Sequence, residues 1–559
     1  MTTATNTELS GFAQTILDNK YAQEKLDGTK ESWHDVAYRV ASSILSPVFP
    51  EYVEEMTEAI AERKFMPGGR YLYSAGRPFQ AVNNCYTLFA EDSREGWAKL
   101  MHDAVHCLMS GGGIGVNYSD IRPYGARVGG LGGICTGPIA LMEAVNETAR
   151  QIQAGGSRRA AVYASLHWWH PDVLDFIKLK DWDQYTIDAK AMDFNARAPM
   201  DMTNISVALD DDFFAIMDGK LDSTTHKIGQ QEYTVDQAWA EKVYTALTHN
   251  MLLTGEPGIQ IDVGENAGEW GRNACTELTT RDHMDVCNLG SINMSRIESL
   301  EEMERITKLG TAFLLAGTIV GALPNDEVRA VRERTRRLGL GLMGLYDWLV
   351  ARGHKYEAND ELAAYLEVYR DVSRQTADEL ADSLGVSRPV KVRAIAPTGT
   401  IGILAETTSG IEPLFAAAYK RRYLRGTTWH YQYVVDAGAK RLVDEYGVDP
   451  DKLETAYDLA YDPERRIAFQ AWVQQYVDHG ISSTLNLPSP EEHAVDAEYF
   501  AVMLYNHLPK LRGLTAYPDG ARGGQPLTVA AYGTASQFEG VEYEEFGAEN
   551  ACKGGVCGI

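Results

Sequence analysis

The sequence is poor in the features that mark export, membrane residence or polyanion binding. Its opening residues, MTTATNTELSGFAQTILDNK, have no basic segment followed by an apolar one, so no secretory leader is expected. The longest apolar runs, such as residues 312–323, fall short of the roughly 20 residues a bilayer-spanning helix needs. A soluble cytoplasmic protein with no membrane partner is expected. Positive charge is scarce: 52 Lys and Arg stand against 78 Asp and Glu, for a formal charge of −26. That argues against a nucleic-acid polymer as partner, because polyanion binding needs a basic face. One small anion remains compatible, held by a helix start and a few arginines. The seven cysteines include no Cys-x-x-Cys pair, and the glycines match neither the P-loop nor the Rossmann spacing. No metal site is expected. A structural disulfide framework does not suit a chain of 559 residues without export signals, which leaves the cysteines to redox chemistry or packing.

What is present is an ordinary globular balance, with 45% hydrophobic and 23% charged residues. Residues 1–64 are charged and helix-like and form a small N-terminal helical region. FMPGGRYLYSAG (65–76) looks like the entry to a β-rich core. Strand-like runs then alternate with helical patterns, which predicts an α/β layer or barrel over residues 65–530. VNNCYTLFA reads as a strand, with Asp92 and Glu95 as a capping box for the helix that follows. In that helix Trp97, Leu100, Met101, Ala104, Val105 and Leu108 recur at helical spacing. Residues 531–559 turn acidic and end in ACKGGVCGI. They are expected to be a flexible tail whose Cys552 and Cys557 are accessible to thiol–disulfide exchange.

The densest chemistry lies in NACTELTTRDHMDVCNLGS, residues 273–291. Asn273, Cys275 and Glu277 fall on alternate residues, which share one face if the chain is extended. A carboxylate beside a thiol raises its pKa, and no histidine or cation is adjacent to activate it. A neutral thiol is a poor nucleophile but a good hydrogen-atom donor, so the pattern points to radical chemistry rather than to a cysteine hydrolase.

Other segments are ambiguous on their own. Cys85 reads as a buried strand cysteine. SGGGIGVNYSDIRP (110–123) reads as a tight turn, RAIAPTGTIGILAETTSGIEP (393–413) as either a capped helix or a phosphate site. GGSRRAA (155–161) reads as a solvated basic patch or a place of close ligand approach, and the cluster from His167 to His170 as packing.

Taken together and in order, these motifs resemble those of ribonucleotide reductases. The family's Asn-x-Cys-x-Glu appears as Asn273 to Glu277, with Ala274 and Thr276 where Pro and Gly are common. CNLGSIN (287–293), NNCYTLFAEDS (83–93), RRLGLGLMGL (336–345) and STLNLP (483–488) follow the family's order. The resemblance implies an α/β fold, a ten-stranded α/β barrel with the catalytic thiol on a central loop. It implies that Cys275 becomes a thiyl radical that abstracts the 3′ hydrogen of a ribonucleotide. Glu277 then takes the 3′-hydroxyl proton, and Asn273 holds the substrate. Cys85 and Cys287 supply a proton and two electrons and end as a disulfide. Cys552 and Cys557 reduce that disulfide and are themselves reduced by thioredoxin or glutaredoxin. Asn84, Gly112, Thr398, Gly399, Thr400 and Ile401 match substrate-binding positions. Asp92, Ser93, Arg94, Arg158 and Arg159 match the region that binds a dNTP or ATP effector and links it to base choice. Cys107 and Cys135 match no functional position.

Tyr517 is followed by Pro518 rather than by a second tyrosine. That resembles the class that draws its radical from adenosylcobalamin, in a compact phage-like form without the ATP-binding cone. One alternative is the class fed by a ferritin-like small subunit. Another, of different kind, is a thiol–disulfide electron carrier, against which Glu277 argues because electron relay needs no carboxylate. Relatives with effector sites at a dimer interface make a homodimer an expectation.

Overall fold

The computed structural model describes residues 9, 11–129, 132–154, 158–193, 196–425, 428–489, 493–521 and 527–544. Ten strands form its central sheet: β1 Phe65–Pro67, β2 Cys85–Phe89, β3 Gly113–Asn117, β4 Val162–His167, β5 Thr203–Asp210, β6 Gly258–Asp262, β7 Asp285–Asn293, β8 Leu338–Met343, β9 Thr484–Leu487 and β10 Gly513–Pro518. The helices that position the site are α1 Gly11–Ile16, α2 Trp33–Leu45, α3 Gly69–Ser74, α4 Arg94–Met109, α5 Leu300–Val320, α6 Asp360–Leu384 and α7 Gly399–Ala405.

β2 to β6 pair in parallel, in sequence order, as strands joined by long crossovers do. β7 joins β2 antiparallel and carries β8 in parallel on its other side. At the far edge β10 joins β6 antiparallel and carries β9 in parallel. Bridges Leu340↔Arg393 and Ile395↔Ile481 lead from β8 through an extended segment to the approach to β9. The hydrogen-bonded path thus returns on itself as two parallel halves with antiparallel joins, an α/β barrel of the kind expected.

The core follows the same division. One apolar cluster packs β2 to β6 against their helices. The other unites Trp33, Val36 and Ile44 of the N-terminal region with Phe65, Ile292 and Leu340, so those helices share the core of the second half. α5 is buried without interruption from Leu309 to Thr318, which accounts for its apolar run. Among the described residues no helix is long and apolar enough to cross a membrane. Residues 531–544, expected within the tail, carry the helix Tyr532–Gln537 and the strand Glu542–Glu544, which pairs with the hairpin strand Thr428–Val435. Residues 545–559, with Cys552 and Cys557, lie outside the described residues.

The helix expected from the Trp97–Leu108 periodicity is α4. Its cap differs from the expected box: Ser93 accepts the Gly96 N–H at 2.8 Å. Asp92 is drawn off instead by the Arg122 guanidinium, whose Nε lies 3.0 and 2.8 Å from its two oxygens.

Candidate active site

The Asn273–Glu277 stretch is a hairpin tip rather than a strand. Gly271–Arg272 and Thr279–Thr280 pair antiparallel beneath it. A turn bond from the Thr276 N–H to the Asn273 carbonyl, 3.0 Å, closes the tip. The alternate-residue reasoning therefore fails in its geometry, yet the turn still gathers the groups. Asn273 Oδ1 accepts the Leu278 N–H at 2.9 Å, and the Glu277 carbonyl accepts the Gly480 N–H at 2.8 Å.

The glycines of β3 make room for this hairpin. A Cβ on Gly115 would lie 1.9 Å from the Arg272 carbonyl oxygen, and one on Gly113 would lie 2.9 Å from Ala274 Cβ. Within the Gly-rich run 110–123, Ser110 and Gly111 make the turn it suggested, and Gly113–Asn117 form a strand over which backbone must pass closely.

Below the tip, buried ion pairs fix the stem. Arg272 and Asp262, both fully buried, meet at 2.6 Å. Glu269 lies 2.6 Å from both Lys391 and Arg512. Burial alone would raise Glu269, but those two cations bring it down to about 2. Thr279 donates its N–H to His479 Nδ1 at 3.2 Å. Burial and the surrounding cations push the His479 ring well below its usual value, which keeps it a neutral acceptor.

Asn273 and Glu277 meet Cys85 and its partner Cys287 at the barrel centre. Cys85 and Cys287 are direct cross-strand partners where β2 meets β7. With Leu278, Leu289 and Ala396 they form a small cluster set between the two large cores. Asn273 Nδ2 donates to Cys85 Sγ at 2.7 Å, and Cys85 Sγ lies 3.7 Å from Glu277 Oε1. Glu277 is 1% exposed, and its Oε2 has no hydrogen-bond partner. Burial raises the Glu277 carboxyl above its usual range. Burial, and then the neighbouring Glu277 charge, raises both Cys85 and Cys287, so both are thiols at neutral pH. Neither they nor Cys275 is in a disulfide.

Cys85 and Glu277 line a cavity of about 250 Å³ together with Asn84, Gly112, Cys275 and Thr398 to Ile401. Thr398, in the left-handed region at φ 47°, precedes α7. Its Oγ1 accepts the Gly410 N–H at 2.8 Å, which leaves the hydroxyl hydrogen free to donate.

The ribonucleotide reductase barrel domain matches the chain over residues 83–387 and 387–517. The chain belongs to the ribonucleotide reductase family. A vitamin B12-dependent ribonucleoside-diphosphate reductase of Mycobacterium tuberculosis is 28% identical over 86% of this chain and 72% of its own length. The protein of the same name from Thermoplasma acidophilum is 26% identical over 92% and 70%. A Mycobacterium phage D29 protein named as an adenosylcobalamin-dependent ribonucleoside-triphosphate reductase is 23% identical over 97% and 98%.

In this ribonucleotide reductase the residues expected at the effector site are divided. Asp92 lines a separate cavity of about 1010 Å³ together with Arg122, Asp120 and Lys227. Ser93 is the α4 cap and Arg94 is exposed beside Glu95. Arg158 and Arg159 form a short strand paired with Gln153–Ala154, and Arg159 lines the catalytic cavity instead. Cys107 is fully buried and Cys135 half-buried, its Sγ accepting the Gly137 N–H at 3.3 Å. The sequence reading missed Tyr21, which also lines the catalytic cavity. No periodicity or motif around residue 21 signals it.

Proposed function

We propose that this chain is an adenosylcobalamin-dependent ribonucleotide reductase, converting ribonucleotides to 2′-deoxyribonucleotides. The observation that carries this reading is the convergence of Cys275, Glu277 and Cys85 on one cavity, with Cys287 in register beside Cys85.

A second cavity of about 950 Å³ meets the catalytic one at Gly399, the residue that lines both. A Cβ at Gly399 would meet nothing within 4 Å. Its walls combine apolar Ile403, Leu414 and Phe415 with amide and hydroxyl groups of Gln432 and Thr407, which suits a flat corrin fringed with amides. Those residues would hold the adenosylcobalamin, which supplies the radical equivalent that removes the Cys275 thiol hydrogen. A single tyrosine, Tyr517, followed by Pro518, offers no adjacent tyrosine pair for a radical arriving from a ferritin-like subunit.

The Cys275 sulfur takes the 3′ hydrogen atom of the ribose, forming S–H. Glu277, kept basic by its raised pKa and with Oε2 unclaimed, takes the 3′-hydroxyl proton. Asn273 positions the substrate beside Cys85. A thiol of the Cys85–Cys287 pair protonates the departing 2′-hydroxyl, which leaves as water. The pair gives its second proton and two electrons to the sugar, leaving hydrogen at C2′, and closes as a disulfide, while Glu277 returns its proton to the 3′ oxygen. Cys275 returns its hydrogen to C3′ and is again a thiyl. Cys552 and Cys557 reduce the new disulfide by exchange, and thioredoxin or glutaredoxin reduces them in turn. Thr398, Gly399, Thr400 and Ile401 cradle the phosphates, and Asn84 and Gly112 bound the nucleoside. The cavity at Asp92 takes a dNTP or ATP effector, with Arg158 and Arg159 carrying its influence toward the base.

Incubating the purified chain with adenosylcobalamin, a ribonucleotide and dithiothreitol tests the reading. Deoxyribonucleotide is expected from the chain alone. No product under these conditions sinks it and points to a missing radical-generating subunit.

A further inference from the structure

The family match begins at residue 83, yet the chain before it reaches the reacting centre. α1 and the π-helical turn Leu17–Tyr21 that follows it form a strap over α7. Phe12 and Thr15 of the strap line the larger cavity, and Tyr21 lines the catalytic one. The strap thus crosses above Gly399, where the two cavities meet.

Tyr21 is held there firmly. Its carbonyl accepts from Arg39 Nη2 at 3.2 Å. The same guanidinium donates to the Ala75 and Leu72 carbonyls at 2.7 and 3.2 Å and pairs with Glu31 at 2.8 Å. Arg39, on α2, therefore ties the π-helical turn to α3. The Tyr21 side chain is 5% exposed, and the turn packs on the α3 segment that begins at Gly69, itself a wall of the catalytic cavity. At the other end Phe12 lies beneath the Arg421 guanidinium, 5.2 Å from its ring centre.

Among the described residues Arg159 is the one cationic side chain lining the catalytic cavity. A nucleotide's phosphates must therefore be met largely by neutral donors. Thr398, at the start of α7, and Thr400 within it line the cavity with their hydroxyl-bearing side chains, and Tyr21 of the strap lines the same cavity. We infer that Tyr21 is a substrate-binding residue, its hydroxyl donating to a phosphate oxygen of the ribonucleotide. The N-terminal strap is then a functional wall of the site rather than an appendage to the barrel. This inference rests on the ribonucleotide reductase reading.

The experiment is equilibrium binding of CDP and of cytidine to the full chain without cobalamin, for wild type, Tyr21→Phe, Tyr21→Ala and Phe12→Ala. Wild-type turnover with cobalamin is measured alongside. Loss of one hydrogen bond to a charged phosphate predicts that Tyr21→Phe weakens CDP by about tenfold. Cytidine binding stays unchanged, and Phe12→Ala leaves CDP binding within about twofold of wild type. Tyr21→Phe keeps the ring and its packing, so the test holds even if Tyr21→Ala fails to fold. Equal CDP affinity in Tyr21→Phe and wild type overturns the inference. So does an equal loss in Phe12→Ala, which would mean that strap docking matters and not the phenol. A wild type that binds CDP but reduces no ribonucleotide counts instead against the functional reading.

Discussion

Cys85 and Cys287 stand directly opposite one another where the two halves of the barrel join, one on β2 and the other on β7. Directly opposed residues of antiparallel strands have Cβ atoms about 4.5–5.5 Å apart, close to disulfide reach. The two thiols therefore come from separate halves of the fold, and the strand register itself sets their spacing.

A single turnover should record that register. Without external reductant, product is expected to stop at the few equivalents the chain's own thiols can supply. Peptide mapping of protein quenched at the first turnover should then find Cys85 joined to Cys287. Replacing either with serine is expected to lower reductant-driven turnover by about three orders of magnitude or more, since the two act as one unit. A mapped Cys85–Cys275 bond in the first turnover would contradict the assignment.

Glu277 ties activity and stability to pH in opposite senses. Burial raises its folded pKa above the ordinary carboxylate value, so between the unfolded and folded values the native chain binds more protons. Stability is therefore lost as pH rises through that window, while the base form needed for turnover appears. Glu277→Gln should lower kcat by about 10²–10⁴-fold. The same variant should gain in melting temperature over wild type as pH rises above the ordinary carboxylate range. An E277Q stability profile parallel to wild type over that rise would mean that the carboxyl is not desolvated.

Thr276 sits at φ 68°, in the left-handed region that disfavours a β-branched residue. The resemblance noted glycine as common at this place, and the backbone supplies the reason. Thr276→Gly should stabilise the chain by about 1 kcal/mol or less, the relieved strain being partly offset by glycine's freedom in the unfolded state. Urea denaturation measures it. A loss above about 1 kcal/mol would show that the threonine side chain holds the tip through contacts that outweigh its strain.

Legibility from sequence followed the range of the interaction. α4 and β2 were legible because periodicity and capping are local, although the cap fell on Ser93 once Arg122, thirty residues on, claimed Asp92. That Asn273, Cys275 and Glu277 belong to one site was legible from their residue types. Their geometry was not, because the turn depends on Gly480, two hundred residues away. The resemblance placed Arg159 in the region linking effector to base choice, but its place on the wall of the Cys275 cavity was not legible, because adjacent glycines say only that something approaches, not which cavity. Tyr21 was invisible: its place depends on Arg39, α3 and α7, none of which marks it in the text.

Gly115 tests the idea that β3 is shaped around the hairpin. It lies mid-strand, where glycine normally weakens a sheet, so Ala would by propensity be neutral or stabilising. Contact geometry opposes that: the new Cβ would lie 1.9 Å from the Arg272 carbonyl and 2.7 Å from its carbon. Backbone cannot yield as a flexible side chain does, so the stem must shift outward and carry Cys275 with it. A displacement of about 1 Å at reacting groups costs on the order of 10²-fold in rate. Gly115→Ala is therefore expected to lose about 10²-fold or more in kcat while retaining a cooperative unfolding transition. Gly125→Ala, at a position with nothing within 4 Å of the added carbon, is the steric comparison, although its φ of 81° makes it costly in backbone strain. If Gly115→Ala keeps full activity, the hairpin has slack that the close approach of β3 denies. If Gly125→Ala loses turnover while Gly115→Ala keeps it, strain in the loop matters more to the site than clearance beneath the thiol.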